Sequence, residues 1–322
     1  MATSSPRPPR LSVILPTDTW ATIRPVVESL ERQTIADRIE VVFVTPDPDA
    51  LAHAMAGREN VSAWRVVSVP ALAPLARART AGVRAAQAPL VILGETHTYA
   101  HPGWAEALLE AHAGRRPIVV PAIGNANPDG ALSWAAYLSD YGPWGEGLER
   151  GEIRRWPGQN SAYSRAALLE FEDGLEAALS RGDALWTGLR AGGHGAWFEP
   201  DARIDHLNVA RPRPWVAERF VAGLLIAGER GSEWPLTRRL AYAAAAPLIP
   251  IVLTWRTLAG WRRAARRQRV PLLTLPAMVV GNTVQAVGEA VGYLRGCAGT
   301  GAEEVMTRYE IRKVDYAARN PR

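Results

Sequence analysis

The sequence predicts an α/β fold, in which a mostly parallel sheet is flanked by helices and followed by a C-terminal α-helical region. Short apolar runs alternate with helical patterns over the first 110 residues, which is the order expected for parallel strands joined by helices. Polar residues directly follow several of these runs. After about residue 212 the alternation stops, and long apolar and arginine-rich segments replace it.

Each element is predicted from the spacing of its apolar residues. Strands are expected at 11–16, 39–44, 63–69, 89–93, 118–122 and, as a short strand, 195–198. Helices are expected at 23–30, 51–56, 75–86, from 104 onward, and at 175–189 with an interruption at Gly182 and Asp183. Residues 158–169 are interpreted as a loop that enters a helix with Ser164 as its N-cap.

Polar residues follow three of the predicted strands, at the point where each strand ends. Thr17 and Asp18 follow the first strand, Thr45 and Asp47 close the second, and Glu95 follows the fourth. In open parallel sheets ligands bind beyond the carboxyl ends of the strands. We therefore expect these side chains to face one crevice.

Composition and motifs exclude several classes of protein. The lone cysteine, Cys297, rules out an internal disulfide framework and a cysteine-based zinc site. The apolar run near the N-terminus is too short for the core of a signal peptide, so a reducing, cytoplasmic setting is expected. The net charge of +5 comes without a nucleic-acid recognition motif, which favours acidic small molecules or anionic lipid as partners and no nucleic acid. Neither a P-loop nor the dinucleotide-binding glycine pattern follows the first strand.

Five stretches, taken in order, resemble the family 2 glycosyltransferases of GT-A fold. They are LSVILPT (11–17), LARARTAGVRAAQAPLVIL (75–93), ETHTYAHPGW (95–104), GQNSAYSRAAL (158–168) and GDALWTGLRAGGHGAWFEPDARIDH (182–206). Each is weak alone, but their order and spacing make a chance match improbable. The resemblance covers the first 210 residues and implies a Rossmann-like sheet that binds a nucleotide-sugar.

The resemblance implies a divalent metal, Mn²⁺ or Mg²⁺, against the donor diphosphate. Glu95 and His97 stand where the family carries Asp-x-Asp, and His206 matches a downstream histidine that would complete the site. Side chains two residues apart in an extended segment share one face. The carboxylate is a hard oxygen ligand, whereas an imidazole suits manganese better than magnesium. Alternatives are a surface carboxylate at Glu95, and a helix cap or a direct phosphate contact at His97.

Asp183 matches the acidic residue that acts as general base in inverting family members. A carboxylate within hydrogen-bond reach can accept the proton of the attacking acceptor hydroxyl. The glutamate that normally precedes this aspartate is Gly182 here. The alternative interpretation is that Gly182 begins a helix with Asp183 as its N-cap.

The resemblance also implies contacts with both substrates. Nucleotide-sugar contacts are expected at Pro16, Thr17, Thr45, Asp47, Arg79 and Glu95. Acceptor contacts are expected at Gln159 and Asn160 through hydrogen bonds, and at Trp156 through stacking on a sugar. Arg77 and Arg79 have the alternative of being solvated helix-face residues, and the tryptophans that of filling a core.

The organisation expected from these features is a disordered lead (1–10), a catalytic domain (11–212), a helical region (213–302) and a charged, exposed tail (303–322). In the helical region, apolar segments at 240–255 and 270–280 flank a stretch with six arginines, together with Trp255 and Trp261. Both segments contain proline and are short for a membrane span. We expect an interfacial or re-entrant hairpin on anionic lipid. The alternatives are a buried helical subdomain or a homodimer interface.

The sequence therefore predicts an inverting, hexosyltransferase-like glycosyltransferase of family 2. It would move a sugar from a nucleotide-diphosphate donor to a hydroxyl acceptor, such as a lipid-linked or membrane-proximal glycan of the cell envelope, at the inner face of the membrane. The alternative is a catalytically lapsed GT-A domain that serves as a membrane-associated scaffold, because His97 and Gly182 replace two of the family's acidic residues.

Overall fold

A computed structural model of the protein describes residues 8–58, 61, 63–296 and 300–317. Most of the predicted lead, the end of the predicted tail, and Cys297 lie outside the described residues. The chain divides into two compact units. The sheet unit comprises residues up to Gly124 together with Glu146–Asp205, and the helical unit comprises Asn125–Gly145 together with residues from His206 onward.

Nine strands of the described residues form one sheet. They are β1 (Leu11–Pro16), β2 (Ile39–Thr45), β3 (Ala63–Ser68), β4 (Leu90–Leu93), β5 (Thr98–Ala100), β6 (Ile118–Asn125), β7 (Gly151–Ile153), β8 (Ala162–Ser164) and β9 (Ala196–His206). The order across the sheet is β3-β2-β1-β4-β8-β6-β9-β5, and β7 pairs with β9.

The first four strands form the parallel part of the sheet. β1 pairs in parallel with β2 and β4, and β2 pairs in parallel with β3. β8 then lies antiparallel between β4 and β6, so the sheet as a whole is mixed. The predicted α/β class, with a sheet flanked by helices and a C-terminal helical region, is confirmed. β5, β7 and β8 were not predicted, because they have only three residues each.

The described residues contain thirteen α-helices. They are α1 (Trp20–Glu31), α2 (Pro48–Met55), α3 (Leu75–Ala85), α4 (Trp104–Ala113), α5 (Ala131–Asp140), α6 (Arg165–Leu169), α7 (Leu175–Ser180), α8 (Gly182–Ala191), α9 (Pro212–Gly231), α10 (Leu236–Ala245), α11 (Ile249–Arg267), α12 (Thr274–Arg295) and α13 (Ala302–Ile311). The predicted interruption of the helix over 175–189 is present, because α7 ends and α8 begins around Arg181. Ser164 is the N-cap of α6, but its side chain makes no capping hydrogen bond.

β9 is the largest departure from the predicted elements. Only a short strand was expected at 195–198, but the strand has 11 residues. Ala202, Ile204 and His206 are buried, whereas Asp201 and Arg203 are exposed. This alternation is the period-2 pattern of a strand with one buried face. Charged outward-facing residues concealed it, because they lowered the apolar content of the segment.

In the helical unit, α9 and α12 pack closely through glycines. A Cβ added at Gly223 would lie 2.1 Å from the Gln285 carbonyl oxygen, and one at Gly288 would lie 2.1 Å from the Phe220 carbonyl oxygen. Real side-chain atoms cannot approach so closely. Glycine at these two positions therefore lets the two helix backbones come into direct contact.

The last described segment of the helical unit packs against α9 instead of being an exposed charged tail. Lys313, the only lysine of the sequence, is 4% exposed, and its Nζ lies 3.0 Å from Glu310 and 3.8 Å from Glu218. Burial raises the pKa of Glu218. The expectation of an exposed tail is thus wrong for one face of α13 and the turn after it, because Thr307, Ile311 and Lys313 are buried, whereas Glu303, Glu304 and Arg308 are exposed. The many charged residues of this segment made its buried face difficult to recognise in the sequence.

A second ion pair of the helical unit, between the buried Arg219 and the half-buried Asp140, joins α5 to α9. The Arg219 guanidinium donates from two nitrogens to the two carboxylate oxygens of Asp140, at 2.8 Å for Nη1 to Oδ1. Burial alone would raise the pKa of Asp140, but the charge and hydrogen bonds of Arg219 outweigh it and hold that pKa below its ordinary value. The two-pronged geometry fixes the register between these helices.

Candidate active site

Glu95 lies just beyond the carboxyl end of β4 and is 5% exposed. Its Oε2 accepts a hydrogen bond from the Asn160 side-chain amide at 2.6 Å and one from the Thr98 hydroxyl at 3.3 Å. Gly94, which precedes it, donates its N–H to Ile14 of β1 at 2.9 Å. The carboxylate is thus buried and held by neutral donors, which does not match the alternative of an ordinary surface residue.

His97 is fully buried beside Glu95. Its Nε2 lies 3.8 Å from Glu95 Oε2, and its Nδ1 lies 3.2 Å from the Thr96 hydroxyl. The two-residue spacing therefore brings the carboxylate and the imidazole together. The capping alternative for His97 is wrong, because the next helix, α4, begins at Trp104 with Gly103 as its N-cap.

Asn160 positions Glu95 from the opposite side. Its backbone φ is +61°, a left-handed conformation that asparagine tolerates better than most residues. Its N–H donates to the Leu93 carbonyl at 2.9 Å, and its side-chain nitrogen then reaches Glu95. The sequence predicts an acceptor contact at Asn160, and the structure gives it a bond to the carboxylate.

The other two predicted acceptor residues differ in exposure. Gln159 is half-buried, whereas Trp156 is fully buried. The Trp156 indole donates to the Tyr163 hydroxyl at 3.2 Å, and its backbone carbonyl accepts from Trp186 at 2.9 Å. The burial of Trp156 favours the alternative that it fills the core.

The polar residues that end β1 and β2 are engaged in their own turns. The Thr17 hydroxyl donates to the Thr19 carbonyl at 3.1 Å, and Pro16 precedes it as the last residue of β1. The Thr45 hydroxyl accepts from the Asp47 N–H at 3.2 Å, and Asp47 caps α2 by accepting from Ala50 at 3.2 Å. Thr17 and Thr45 are buried.

Arg77 and Arg79 of α3 face different environments. Arg77 is exposed and lies 3.3 Å from Glu176. Arg79 is 8% exposed, and within the described residues its buried Nε has no hydrogen-bond partner. The solvated helix-face alternative is therefore wrong for Arg79. A buried guanidinium nitrogen without a partner is unfavourable unless a ligand or water satisfies it.

Asp183 lies in the first turn of α8, with its side chain 59% exposed. Its Oδ1 accepts from the Ala184 N–H at 2.9 Å and lies 3.5 Å from Arg181 Nε. The alternative interpretation predicted a helix that begins at Gly182 with Asp183 as its N-cap. Gly182 is indeed the first residue of α8, but the N-cap is Arg181. Asp183 is thus not the cap, and its carboxylate is open to solvent.

His206 is the last residue of β9 and belongs to the helical unit. It is 1% exposed, and burial lowers the pKa of its imidazole to about 3. Its Nδ1 lies 2.9 Å from Asn208 Oδ1, and the Tyr141 ring packs 4.4 Å from it. Neither Asn208 nor Tyr141 was predicted from the sequence as a neighbour of His206. For Asn208 the available signal was its two-residue spacing from His206 at the end of a strand.

The family comparison matches residues 12–171, which are 160 of the 322 residues, to the model described as Glycosyl transferase family 2. The search of curated proteins gave no match.

Among solved structures, the mannosyltransferase PcManGT from Pyrobaculum calidifontis is 16% identical, with a TM-score of 0.53. The alignment covers 90% of this chain and 88% of that one. TarS 1–349 from S. aureus is 16% identical with a TM-score of 0.46, over 86% of this chain and 90% of that one.

GalNAc-T7 is also 16% identical, with a TM-score of 0.48 over 62% of this chain, which spans only 43% of that structure. The TM-scores of TarS and GalNAc-T7 are too low to carry an argument. Residues 12–171 therefore resemble family 2 glycosyltransferases, and the fold is shared with PcManGT.

Proposed function

We propose that this protein is an inverting, hexosyltransferase-like glycosyltransferase that uses a nucleotide-diphosphate sugar. The observation that carries the proposal is the buried pair of Glu95 and His97 at the carboxyl end of β4, within the stretch that matches family 2. In open α/β sheets, ligands bind beyond the carboxyl ends of the strands, which is where this buried carboxylate and imidazole lie. PcManGT, which shares the fold, was solved with GDP-Man and Mn²⁺.

The proposed metal ligands are Glu95, His97 and His206, the three residues that the resemblance implies. One carboxylate and two imidazoles suit Mn²⁺ better than Mg²⁺, which prefers oxygen ligands. Asp205, the residue before His206, belongs to the sheet unit. Its Oδ2 lies 3.0 Å from Nε2 of His101 in the same unit. A bound divalent cation would supply neutralisation of the charge that develops on the leaving diphosphate.

The donor would be held by groups at the strand ends. Pro16, Thr17, Thr45 and Asp47 would line the nucleotide, as the resemblance implies. The unpartnered Nε of Arg79 supports a role on the diphosphate, because phosphate oxygens would complete its hydrogen bonding.

The acceptor hydroxyl would be oriented by Gln159 and Asn160, with Trp156 behind them as the remaining predicted acceptor residue. Asp183 would take the hydroxyl proton while the acceptor oxygen forms its bond to the anomeric carbon. The bond from that carbon to the donor phosphate breaks in the same displacement, so the configuration inverts. The exposed Asp183 carboxylate supports this role, since an acceptor can reach it from solvent.

The alternative function is a lapsed GT-A domain that binds a donor or partner without turnover. Two observations favour it. His97 and Gly182 stand where the family has acidic residues, and the Asp183 carboxylate is engaged with the neighbouring Arg181 and Ala184. Donor binding without sugar transfer would support this alternative.

We also propose that the helical unit lies on the inner face of the cell membrane, as a peripheral or re-entrant element. Leu236–Arg267 is the one segment of the described residues with the length and composition of a membrane span, and only 6% of its most apolar window is buried. A core helix of similar composition would be mostly buried. Pro250 lies in the first turn of α11, where proline is tolerated, so it does not break the helix.

The experiment that tests the enzymatic proposal is donor binding and hydrolysis over a panel of UDP-, GDP- and dTDP-sugars, with and without Mn²⁺. We expect one donor to bind, Mn²⁺ to strengthen that binding, and Glu95→Ala to abolish the gain. Asp173→Asn, a change at an exposed carboxylate of the same unit, is the matched control. Absence of donor binding under every condition would remove the basis of the proposal.

A further inference from the structure

We propose that Asn208 is a positioning residue that holds His206 in the tautomer protonated on Nδ1, so that Nε2 is the ring nitrogen whose lone pair can bind a divalent cation. The inference rests on the metal site of the proposed function and adds a residue to it. It is supported by contacts inside the helical unit alone. In each of these hydrogen bonds the donor and the acceptor can be assigned.

The Asn127 backbone N–H is a group whose direction of hydrogen bonding is certain, because it can only donate. It lies 3.1 Å from an Asn125 side-chain atom, which must therefore be the carbonyl oxygen Oδ1. This assignment fixes the orientation of the Asn125 amide, an orientation that heavy-atom positions alone leave open.

The orientation of Asn208 follows from that of Asn125. One side-chain atom of Asn208 lies 2.9 Å from Asn125 Oδ1 and 2.9 Å from the His206 backbone carbonyl. Both of these oxygens can only accept, so the atom facing them must be the amide nitrogen Nδ2. The backbone of Asn208 is held as well, because its N–H donates to Asn127 Oδ1 at 2.9 Å and its carbonyl accepts from Asn127 Nδ2 at 2.8 Å.

The remaining atom of the Asn208 amide determines the histidine tautomer. Asn208 Oδ1 faces His206 Nδ1 at 2.9 Å and can only accept, so Nδ1 must carry the proton. A neutral imidazole has a single N–H, and Nε2 therefore carries the lone pair. Histidine ligands of metals usually donate their other ring N–H to such an acceptor, which sets both the tautomer and the ring orientation.

The surroundings of the pair support a fixed arrangement. Asn208 and His206 are each 1% exposed, so water does not compete for the hydrogen bond. The Tyr141 ring packs against the imidazole with an angle of 48° between the planes. The amide and the aromatic ring thus constrain the rotation of the imidazole from two sides.

The first test reads the tautomer directly by ¹⁵N NMR of histidine side chains in the full-length protein without metal, at neutral pH. The sequence has six histidines, and His206→Ala identifies the signal of interest by its loss. We expect the Nδ1–H pattern in the wild type and a shift towards Nε2–H in Asn208→Ala. Ser133→Ala is the matched control, because it removes a hydrogen bond to Asn125 or Asn127 without touching His206. An Nε2–H pattern in the wild type would overturn the inference, even if a variant fails to fold.

The second test measures Mn²⁺ affinity by electron paramagnetic resonance. Loss of such an outer partner typically weakens metal binding by about 10–100-fold, which is the effect expected for Asn208→Ala. Asn208→Asp keeps an acceptor for Nδ1–H but loses the two hydrogen bonds that Nδ2 donates, so it should recover only part of the affinity. Ser133→Ala should bind Mn²⁺ as the wild type does.

The outcomes separate this inference from the proposed function. If the wild type binds Mn²⁺ and Asn208→Ala binds it equally well, the positioning role is overturned while the metal site stands. If the wild type shows the Nδ1–H pattern but binds no Mn²⁺, the metal site fails and the tautomer assignment stands. Equal losses of Mn²⁺ affinity in Asn208→Ala and Ser133→Ala would mean that Asn208 has only a structural role, which would overturn the inference.

Discussion

The sheet unit and the helical unit differ in the exposure of their large apolar side chains. All fifteen exposed large hydrophobic residues of the described chain belong to the helical unit, among them Trp255 (77% exposed) and Leu272 (79% exposed). Every residue of β1, β2 and β4 is instead buried. The sheet unit therefore buries its own apolar faces, whereas the helical unit keeps exposed apolar side chains, a feature typical of interaction surfaces.

The charged residues of the two units differ as well. In the sheet unit the buried carboxylate Glu95 is held by neutral donors at a strand end, as suits a group that meets a ligand. In the helical unit the buried Arg219 and the half-buried Asp140 neutralise each other, as suits helix packing. We therefore propose that the sheet unit supplies the general base and the donor contacts and that the helical unit attaches to a partner surface, a division that can be tested.

The largest expected effect is on catalysis and belongs to the sheet unit. Asp183→Asn should lower kcat by about 10²–10⁴-fold, the usual contribution of a general base, and leave donor affinity unchanged. Single-turnover kinetics with the identified donor and acceptor would measure it. Glu176→Gln, at another exposed carboxylate of that unit, is the control. An unchanged kcat in Asp183→Asn would remove Asp183 from the mechanism and favour another base.

The next effect concerns the stability of the helical unit. Gly288→Val places a side chain against the Phe220 carbonyl, and such overpacking against backbone should cost about 3 kcal/mol or more. Thr283→Val puts the same side chain on an exposed position of α12 and should cost little. Hydrogen exchange should show the loss of protection in α9 and α12 and not in β1 or β2. Equal loss in both units would mean that they unfold as one.

The sequence predicted the parallel strands well and the rest of the sheet poorly. β1 and β2 are continuous buried apolar runs, so composition alone located them within a residue. β9 alternates buried with charged residues, and β8 has three residues paired on both sides, so each depends on neighbours that are distant in sequence. The arginine-rich stretch was expected to link two apolar segments, but α11 continues through it.

For the candidate site, motif spacing identified residue types but not their environments. Glu95 and His97 were identified because two-residue spacing is a local property. The burial of Trp156 and the hydrogen bond from Asn160 to Glu95 arise from packing and from a left-handed backbone conformation at Asn160. The role proposed for Asn208 depends on a network that reaches back to Asn125, 83 residues earlier in the chain. No local pattern contains that information.

A smaller effect is expected on lipid binding by the apolar surface of the helical unit. The double change Ile251→Ser and Trp255→Ser removes two side chains of α11 that are 67% and 77% exposed. Burying one such side chain contributes about 1.5–3 kcal/mol, so each change should weaken binding to anionic vesicles by about tenfold or more. Val305→Ser, on α13, is the control. Unchanged vesicle binding, together with loss of a concentration-dependent dimer, would assign the surface to a second copy of the chain.

The smallest expected effect distinguishes attraction by anionic headgroups from apolar contact alone. Arg262 and Arg266 of α11 are exposed and lie four residues apart, so they share one face of the helix. An arginine near an anionic surface contributes about 1 kcal/mol, so Arg262→Gln and Arg266→Gln should each weaken binding to anionic vesicles about fivefold.

Because this attraction is screened by ions, the difference between these arginine variants and the wild type should shrink as salt is raised, and it should vanish on neutral vesicles. Arg154→Gln, at an exposed arginine of the sheet unit, should bind anionic vesicles as the wild type does. If it weakens binding equally, the basic charge of the whole chain attracts the lipid. The division between a catalytic sheet unit and a membrane-binding helical unit would then have to rest on the apolar surface alone.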